Sequence, residues 1–468
     1  MTVRKATLIN ASGKYLKVIL TVLVNAILAR ILTPFDFGVV AVITVFSTFF
    51  ATLSDMGLGP AIVQKKDLTR SDIDNLFTYS VYVALGLSAI FMLCAFPIAA
   101  FYKDSIYLKP TFLLTISLFF NALNMVPNGI LNRDKKFVTI AVRTVVVYVI
   151  SALISIYLAL HGWRFYALVA QAILSSVLQF AWNWLSTRPR MVARPSMEAV
   201  RKVKTYSLYQ FAFNVVNYFA RNLDNLLAGK FMGEVNLGNY NKAYNLMLFP
   251  VSNLSGVVSP VLHPILSDYQ DDPEGIYRRY MRLVRFLWCL GIFVAAFAFL
   301  AAEEIIGILY GPQWEPCVVC FRLLAIAIIP QMINASAGAI FQALGNTRLL
   351  FLSTCVNTVV TLAAICIGVF AGKSIEVLSL CVAISYVFHF ICAFWFLIRR
   401  GFRFSAGRFL KELTPEIIMT AVMIAAVLLF PFHTDGLVLS LVVKTAYILV
   451  IYAAMMLLSR EFKLFKLK

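Results

Sequence analysis

Apolar residues run in long blocks along nearly the whole chain, separated by short polar joints rather than by polar domains. A helix crosses a bilayer with about 17 to 25 mainly apolar residues. Blocks of that length predict fourteen spans, at about 8–31, 37–63, 73–101, 110–131, 137–160, 163–186, 206–231, 236–265, 277–309, 316–343, 347–371, 375–398, 415–431 and 437–459. The pattern is that of an all-α polytopic membrane protein. No stretch is long and polar enough for a soluble domain. The first apolar run is too long for a removable signal peptide and lacks a small-residue cleavage site, so it reads as a retained helix.

The polar positions inside these blocks are patterned too. The first span carries Asn10, Lys14, Lys17, Thr21 and Asn25, whose spacings of 4, 3, 4 and 4 place all five on one helical face. The seventh carries Gln210, Asn214, Asn217, Arg221 and Asn225, with Asp224 beside the last. The two stripes coincide after a shift of 200 residues, and at that offset Leu23 meets Leu223, Gly38 meets Gly238 and Pro60 meets Pro260. The turn L-T-P-F-D-F-G corresponds to F-M-G-E-V-N-L-G. Both second helices then end in a polar loop, K-K-D-L-T-R-S-D and S-D-Y-Q-D-D-P-E. Asp272-Pro273 reads as an N-cap followed by Pro at the first helical position, and Thr69 or Ser71 as the cap of the third span.

These matches predict a duplicated six-helix unit, its copies parallel and related by an axis along the membrane normal. The linker R-P-R-M-V-A-R-P-S-M-E-A-V-R-K-V-K joins them. The expected division is an N-lobe at 1–205, a C-lobe at 206–400, and two extra helices within 401–468.

Composition agrees with the pattern. Of 468 residues, 61% are hydrophobic and only 13% charged, with mean hydropathy +0.84; a soluble protein carries about a quarter charged residues. The net charge of +19 raises the question of nucleic acid. Its distribution answers it. With the amino terminus inside, most of the 41 Lys and Arg lie at cytoplasmic ends and loops, while Lys103, Lys109, Arg164, Lys230 and Lys373 fall outside. That is the positive-inside asymmetry. An even number of spans returns the carboxyl terminus to the cytoplasm as well.

Within spans lie Lys14, Lys17, Arg30, Arg143, Arg221, Lys242, Arg282, Arg285, Arg322 and Lys444, set against Asp55 and Asp224. Each ionised group at the bilayer centre costs about 3 kcal/mol or more unless it faces a partner or water. Snorkelling to a helix end accounts for Arg282, Arg285 and Lys444, and extends to Arg143 and Arg322. Arg221 lies about fifteen residues into its helix. It can pair along the helix with Asp224, or serve a passage.

The second helix of each unit adds polar residues at near-helical spacing: Thr44, Thr48, Thr52, Asp55 and Gly59 in one, Asn241, Asn245, Ser252, Ser255, Ser259 and His263 in the other. Four polar faces imply a hydrated cavity between two bundles. Lys14, Lys17, Arg30, Arg221 and Lys242 make it cationic, with Asn25, Asn214 and Asn217 as further lining. Such a cavity suits an anionic or sugar-phosphate cargo.

Catalytic and metal signals are thin, and neither cofactor nor metal is expected. No Gly-rich loop ends in Gly-Lys-Ser/Thr, and no His-rich motif is present. Asp72-Ile-Asp74 matches a short acid-x-acid pattern of glycosyltransferases, but also marks the start of a span. The outer connections from Phe101 to Pro110 and from Tyr310 to Pro316 are too short to house an enzyme site. Cys317-Val-Val-Cys320 reads as packing, with an outer disulfide as the alternative. His161, His389 and His433 carry little weight, and His263 reads as packing or helix-end bonding before proton relay.

The run I-L-A-R-I-L-T-P-F-D-F-G-V-V-A, then L-S-D-M-G-L-G-P-A-I-V-Q, resembles the opening of polysaccharide exporters of the Wzx type. R-N-L-D-N-L-L-A-G-K-F-M-G-E-V-N-L-G-N-Y-N-K-A-Y is similar to that family's pattern at its seventh helix. The likeness is to the colanic acid and teichuronic acid branch of the multidrug/oligosaccharidyl-lipid/polysaccharide superfamily, and covers nearly the whole chain.

The resemblance implies a flippase that moves an undecaprenyl-diphosphate-linked oligosaccharide repeat across the bacterial cytoplasmic membrane by alternating access. A proton or sodium gradient would drive it, with Asp55 and Asp224 as coupling candidates because a carboxylate in a low-dielectric cavity titrates near neutral pH. Its partners would be the lipid-linked substrate, membrane lipid, and a polysaccharide polymerase and chain-length regulator, with the protein working as a monomer and binding no nucleic acid. Competing readings are a drug/cation antiporter, which calls for a more acidic cavity, a peptidoglycan-precursor flippase, and a membrane glycosyltransferase or polymerase.

Overall fold

The computed structural model describes residues 3–55, 59, 62–63, 65, 68–196, 218, 222–255, 272–344, 346–430, 436–459 and 461–465. Among them every regular element is helical and there is no strand. Nine helices there are long and apolar enough to cross a bilayer, ten if one bent pair counts as a single span.

The chain divides into two compact units, Met1–Gly238 and Asn239–Lys468. The expected boundary at 205/206 falls outside the described residues. The first unit holds α1 (Val3–Ile31), α2 (Pro34–Asp55), α3 (Arg70–Tyr102), α4 (Leu108–Leu123), α5 (Met125–Arg133), α6 (Phe137–Leu160), α7 (Phe165–Thr187) and α8 (222–232). α9 (Glu234–Pro250) starts in the first unit and continues in the second. The second unit continues with α10 (Pro273–Leu300), α11 (Ala302–Leu309), α12 (Glu315–Ala325), α13 (Ile328–Ala343), α14 (Thr347–Cys366), α15 (Ile375–Trp395), α16 (Ala406–Glu412), α17 (Thr414–Leu428) and α18 (Leu437–Leu458).

Most helices follow the apolar blocks to within a few residues. Three blocks break. The fourth divides at Asn124, between α4 and α5; the ninth at Ala301, between α10 and α11; and the tenth bends by 55° between α12 and α13. The helix starts form as their sequences dictate. Thr69 and Asp72 close a reciprocal capping box on α3, and Asp272 Oδ1 accepts from Gly275 N at 2.9 Å ahead of Pro273.

The acid-x-acid pair is used up in this architecture. Asp72 belongs to the cap, while Asp74 lies 3.7 Å from Arg70 Nε and accepts from the backbone N of Arg190 at 2.9 Å. The start of the linker lies along the same turns, with Val192 N on Thr78 Oγ1 and Ser196 N on Asn75 Oδ1, both at 2.9 Å.

In the first unit α1 packs on α6, α6 on α7, α7 on α4 and α4 on α3. Gly13 lets α1 approach closely: a methyl group there would sit 2.8 Å from Ala141 Cβ. In the second unit α10 is central, touching α12, α13, α17 and α18. Cys289, Ile292, Met419, Met423, Ile448 and Met455 form the core by which the last two spans join it. Cys317 and Cys320 are buried free thiols in α12, so packing and not a disulfide describes them.

Candidate functional site

The described part of the stripe on α1 runs from exposed to half-buried. Lys14 and Lys17 are exposed and Asn25 is half-buried. The face is built along the helix: Thr21 Oγ1 donates to Lys17 O at 2.8 Å and Asn25 Nδ2 to Thr21 O at 2.9 Å. Arg30 is exposed too, but five residues of helix turn it about 140° away from Asn25. It stands on the side of exposed Ile19, Leu23 and Ile27.

On α2, Thr44 and Thr48 are exposed; on α9, Asn245 is exposed and Asn241 half-buried, and Ser252 is exposed in the helical turn Val251–Ser255 that follows. Hydroxyls and amides that are not drawn into a core leave these faces free for water. Asp55 closes α2, and its side chain lies outside the described residues, as do Asn214, Asn217 and Arg221. Asp224 is 4% exposed and accepts from Asn225 N at 2.8 Å and from Asn225 Nδ2 at 3.2 Å.

Lys242 is placed differently from its neighbours on α9. It is buried, with Nζ 5.0 Å from the Tyr310 ring centre and 5.6 Å from that of Trp314. Tyr310 ends α11, and Trp314 lies in the turn Pro312–Trp314 that follows, so that turn folds over the ammonium. Cation–π attraction holds it there. Periodicity along α9 cannot reveal this, because the rings come from about seventy residues downstream.

The offset of 200 reappears as a contact. Within the first unit the starts of α2 and α9 lie backbone to backbone. A methyl group on Gly38 would collide with the Glu234 carbonyl, and one on Gly238 with the Pro34 carbonyl. Residues 34 and 38 thus meet residues 234 and 238 reciprocally, as local two-fold symmetry requires. Only glycine fits both places, since the obstacle is main chain. Side chains reinforce the meeting: Tyr107 donates to Glu234 Oε1 at 2.6 Å, Tyr102 to Leu226 O at 3.2 Å, and Tyr218 to Val45 O. Asp36, buried at the start of α2, accepts from Thr33 Oγ1 at 2.7 Å and lies 3.3 Å from Arg164 Nε.

Several cations that snorkelling was expected to explain, one buried and the others half-buried, are held by partners instead. Arg143 on α6 is 5% exposed and donates to Asn183 Oδ1 at 2.5 Å and to Asn128 Oδ1 at 3.2 Å. Asn183 also donates to Asn124 at 2.6 Å, so one amide network ties α6 and α7 to the break between α4 and α5. Arg285 on α10 pairs with Glu416 at 2.6 Å and Glu461 at 2.5 Å. Lys444 on α18 lies 2.5 Å from Glu304, which also accepts from Ser440 at 2.6 Å. Arg322 reaches Glu303 at 3.6 Å, and Arg282 alone of this group is plainly exposed without an ion pair among the described residues. Glu304 and Glu416 sit inside predicted spans but were missed when only Asp55 and Asp224 were set against the cations; the signal was an acid in an apolar block, while its partner lies far along the chain.

Two cavities lie in the second unit, each of about 580 Å³. One is apolar, with Trp288, Phe299, Ile333, Phe390, Met423 and Leu428 in its walls. The other holds Glu303, Glu304, Arg322 and Lys444, whose mutual pairing leaves little net charge. No group of three or more metal-ligating side chains occurs among the described residues.

Residues 27–319 match the model of the family described as polysaccharide biosynthesis protein. The chain is 26% identical over 455 residues to the succinoglycan biosynthesis transport protein ExoT of Rhizobium meliloti (strain 1021), covering 93% of this chain and 88% of that one. It is 21% identical over 353 residues to the lipopolysaccharide biosynthesis protein WzxC of Escherichia coli (strain K12), covering 73% and 70%. Among solved structures, the lipid II flippase MurJ in an inward closed conformation aligns with a TM-score of 0.74 at 14% identity, over 97% of this chain and 99% of that one. That likeness speaks for the helical fold alone.

Proposed function

This chain belongs to the polysaccharide biosynthesis protein family, and from that premise we propose that it is a flippase for a lipid-linked oligosaccharide in polysaccharide assembly. It is a multi-pass membrane transporter and not an enzyme, as the transport and biosynthesis names of its relatives indicate. The observation that carries the reading furthest is the reciprocal contact of Gly38 and Pro34 with Gly238 and Glu234. A carrier that alternates between two sides needs equivalent elements that can meet and part, and two repeat-related helix starts meet here.

The cargo is an undecaprenyl-diphosphate-linked repeat. Its sugar and diphosphate pass along the polar residues that the sequence sets in the first, second, seventh and eighth spans, while the lipid tail stays in the bilayer. Lys14 and Lys17 supply exposed cations for the diphosphate, Asn25, Asn214 and Asn217 supply amides, and Arg221 supplies a bidentate phosphate donor. Arg30, about 140° round α1 from Asn25, is not assigned to this face. Lys242 contributes from its aromatic box, fixing that region of α9. Both termini lie in the cytoplasm, the protein acts as a monomer, and a polymerase and chain-length regulator receive its product.

Deletion of the gene should trap a lipid-linked repeat unit on the cytoplasmic leaflet, identifying activity and cargo together. Complementation with Lys17→Ala or Arg221→Ala should leave export impaired although the protein reaches the membrane. Normal export by both variants would remove these residues from the passage. Asp55 and Asp224 are the coupling candidates. Asp55→Asn and Asp224→Asn should alter the pH or sodium dependence of transport in vesicles, and an unchanged dependence in both would discard them.

A further inference from the structure

We propose that the exposed arginines at the α15–α16 end of the second unit form a binding site for the phosphates of anionic phospholipids. Arg399 and Arg400 end the helical turn Phe396–Gly401 that extends α15; Arg403 follows it, and Arg348 opens α14. These parts are neighbours. The start of α14 and the turn 396–401 belong to helices in contact, and Tyr277 of α10 meets Phe402 at 5.4 Å and Phe404 at 5.0 Å.

Charge accounting separates these arginines from Arg408 and Arg285 nearby. Among the described residues, four glutamates at this end are already engaged. Glu274 and Glu412 take Arg408, at 2.5 and 3.1 Å, and Glu416 and Glu461 take Arg285. Among the described residues Arg348, Arg399, Arg400 and Arg403 have no carboxylate within ion-pair reach, and all four are exposed. A cluster of this kind draws anions, and guanidinium binds two phosphate oxygens at once.

The surroundings identify the phosphate as a lipid's. Phe351, Ile391 and Trp395, one or two turns from the guanidiniums, are 67%, 57% and 53% exposed. Such side chains belong against acyl chains. Arg399 lies over the Trp395 ring at 5.3 Å and Arg400 over the Phe396 ring at 5.7 Å. The cations therefore stand at the edge of an apolar wall, at the depth where aromatic residues mark the headgroup layer. Basic clusters just beyond a span attract anionic leaflets. Orientation alone asks only for an excess of positive charge on one side; it does not gather unpaired arginines beside exposed acyl-facing rings.

The test uses the full-length protein in detergent, titrated with phosphatidylglycerol or phosphatidylcholine and read by native mass spectrometry and thermal melting. The wild type should bind phosphatidylglycerol at least tenfold more tightly and melt higher in its presence. Arg399→Gln/Arg400→Gln/Arg403→Gln should lose both preferences. Lys103→Gln/Lys109→Gln/Lys373→Gln, removing as much charge elsewhere, should keep them. Equal binding of the two lipids by the wild type, an unchanged arginine variant, or an equal loss in the lysine variant overturns the proposal. So does discrimination by undecaprenyl diphosphate alone, which would give the surface to the transported lipid.

Discussion

Gly38→Val is expected to abolish export while leaving the protein in the membrane. Gly38 is the fifth residue of α2, and glycine inside a helix carries a penalty of about 1 kcal/mol relative to alanine. Its use follows from the approach of α9. A Cβ built at Gly38 falls 3.0 Å from Glu234 Cα and still closer to the Glu234 carbonyl, and one at Gly238 falls 3.2 Å from Pro34 Cα. Carbonyl oxygens normally keep about 3.3–3.6 Å from a carbon, even in Cα–H···O contacts. Backbone has no alternative rotamer to retreat into, so the two helix starts must separate.

Overpacking of this kind typically costs about 1–3 kcal/mol, enough to unbalance a carrier whose two states differ by a few kcal/mol. Because one contact is shared, Gly238→Val should match Gly38→Val, and the double variant should be little worse than either. Gly38→Ala should fall between wild type and Gly38→Val. Export assays in the deletion strain decide it, together with membrane abundance. Normal export by Gly38→Val would show that this meeting has no part in transport.

Arg285→Gln is expected to be the most destabilising single change in the second unit. Arg285 lies between Glu416 on α17, which is fully buried, and Glu461 beyond α18. Removing the cation leaves two carboxylates without it, one of them in a fully dry setting. Breaking a buried pair in this way costs about 3–5 kcal/mol, whereas replacing all its members by apolar residues is often neutral. Arg285→Met combined with Glu416→Leu and Glu461→Leu should therefore recover most of the loss. Thermal melting of purified protein with a mutant cycle measures both. A single variant within about 1 kcal/mol of wild type would show the triad to be dispensable. The damage should centre on the last two spans, because the triad and the Lys444–Glu304 pair fasten them to α10 and α11 at two separate levels.

The contrast between Arg285 and Arg282 shows where reading the chain stops. Both lie in the same turns of one apolar block, and both read equally as snorkelling cations. In the fold Arg282 is exposed and Arg285 is clamped by acids 131 and 176 residues away. Arg143 repeats the lesson with amides from α5 and α7. Lys242 repeats it with rings. In each case the deciding partner is set by helix packing, and no spacing rule reaches across it.

Local order alone settled much else: the place of most helices and the caps at Thr69 and Asp272. These follow from interactions within a few residues or from the solvent each block must meet, and so are written linearly. Which buried charge finds which partner is written nowhere locally. It is decided when packed helices exclude water and leave every ion to the nearest group that can hold it.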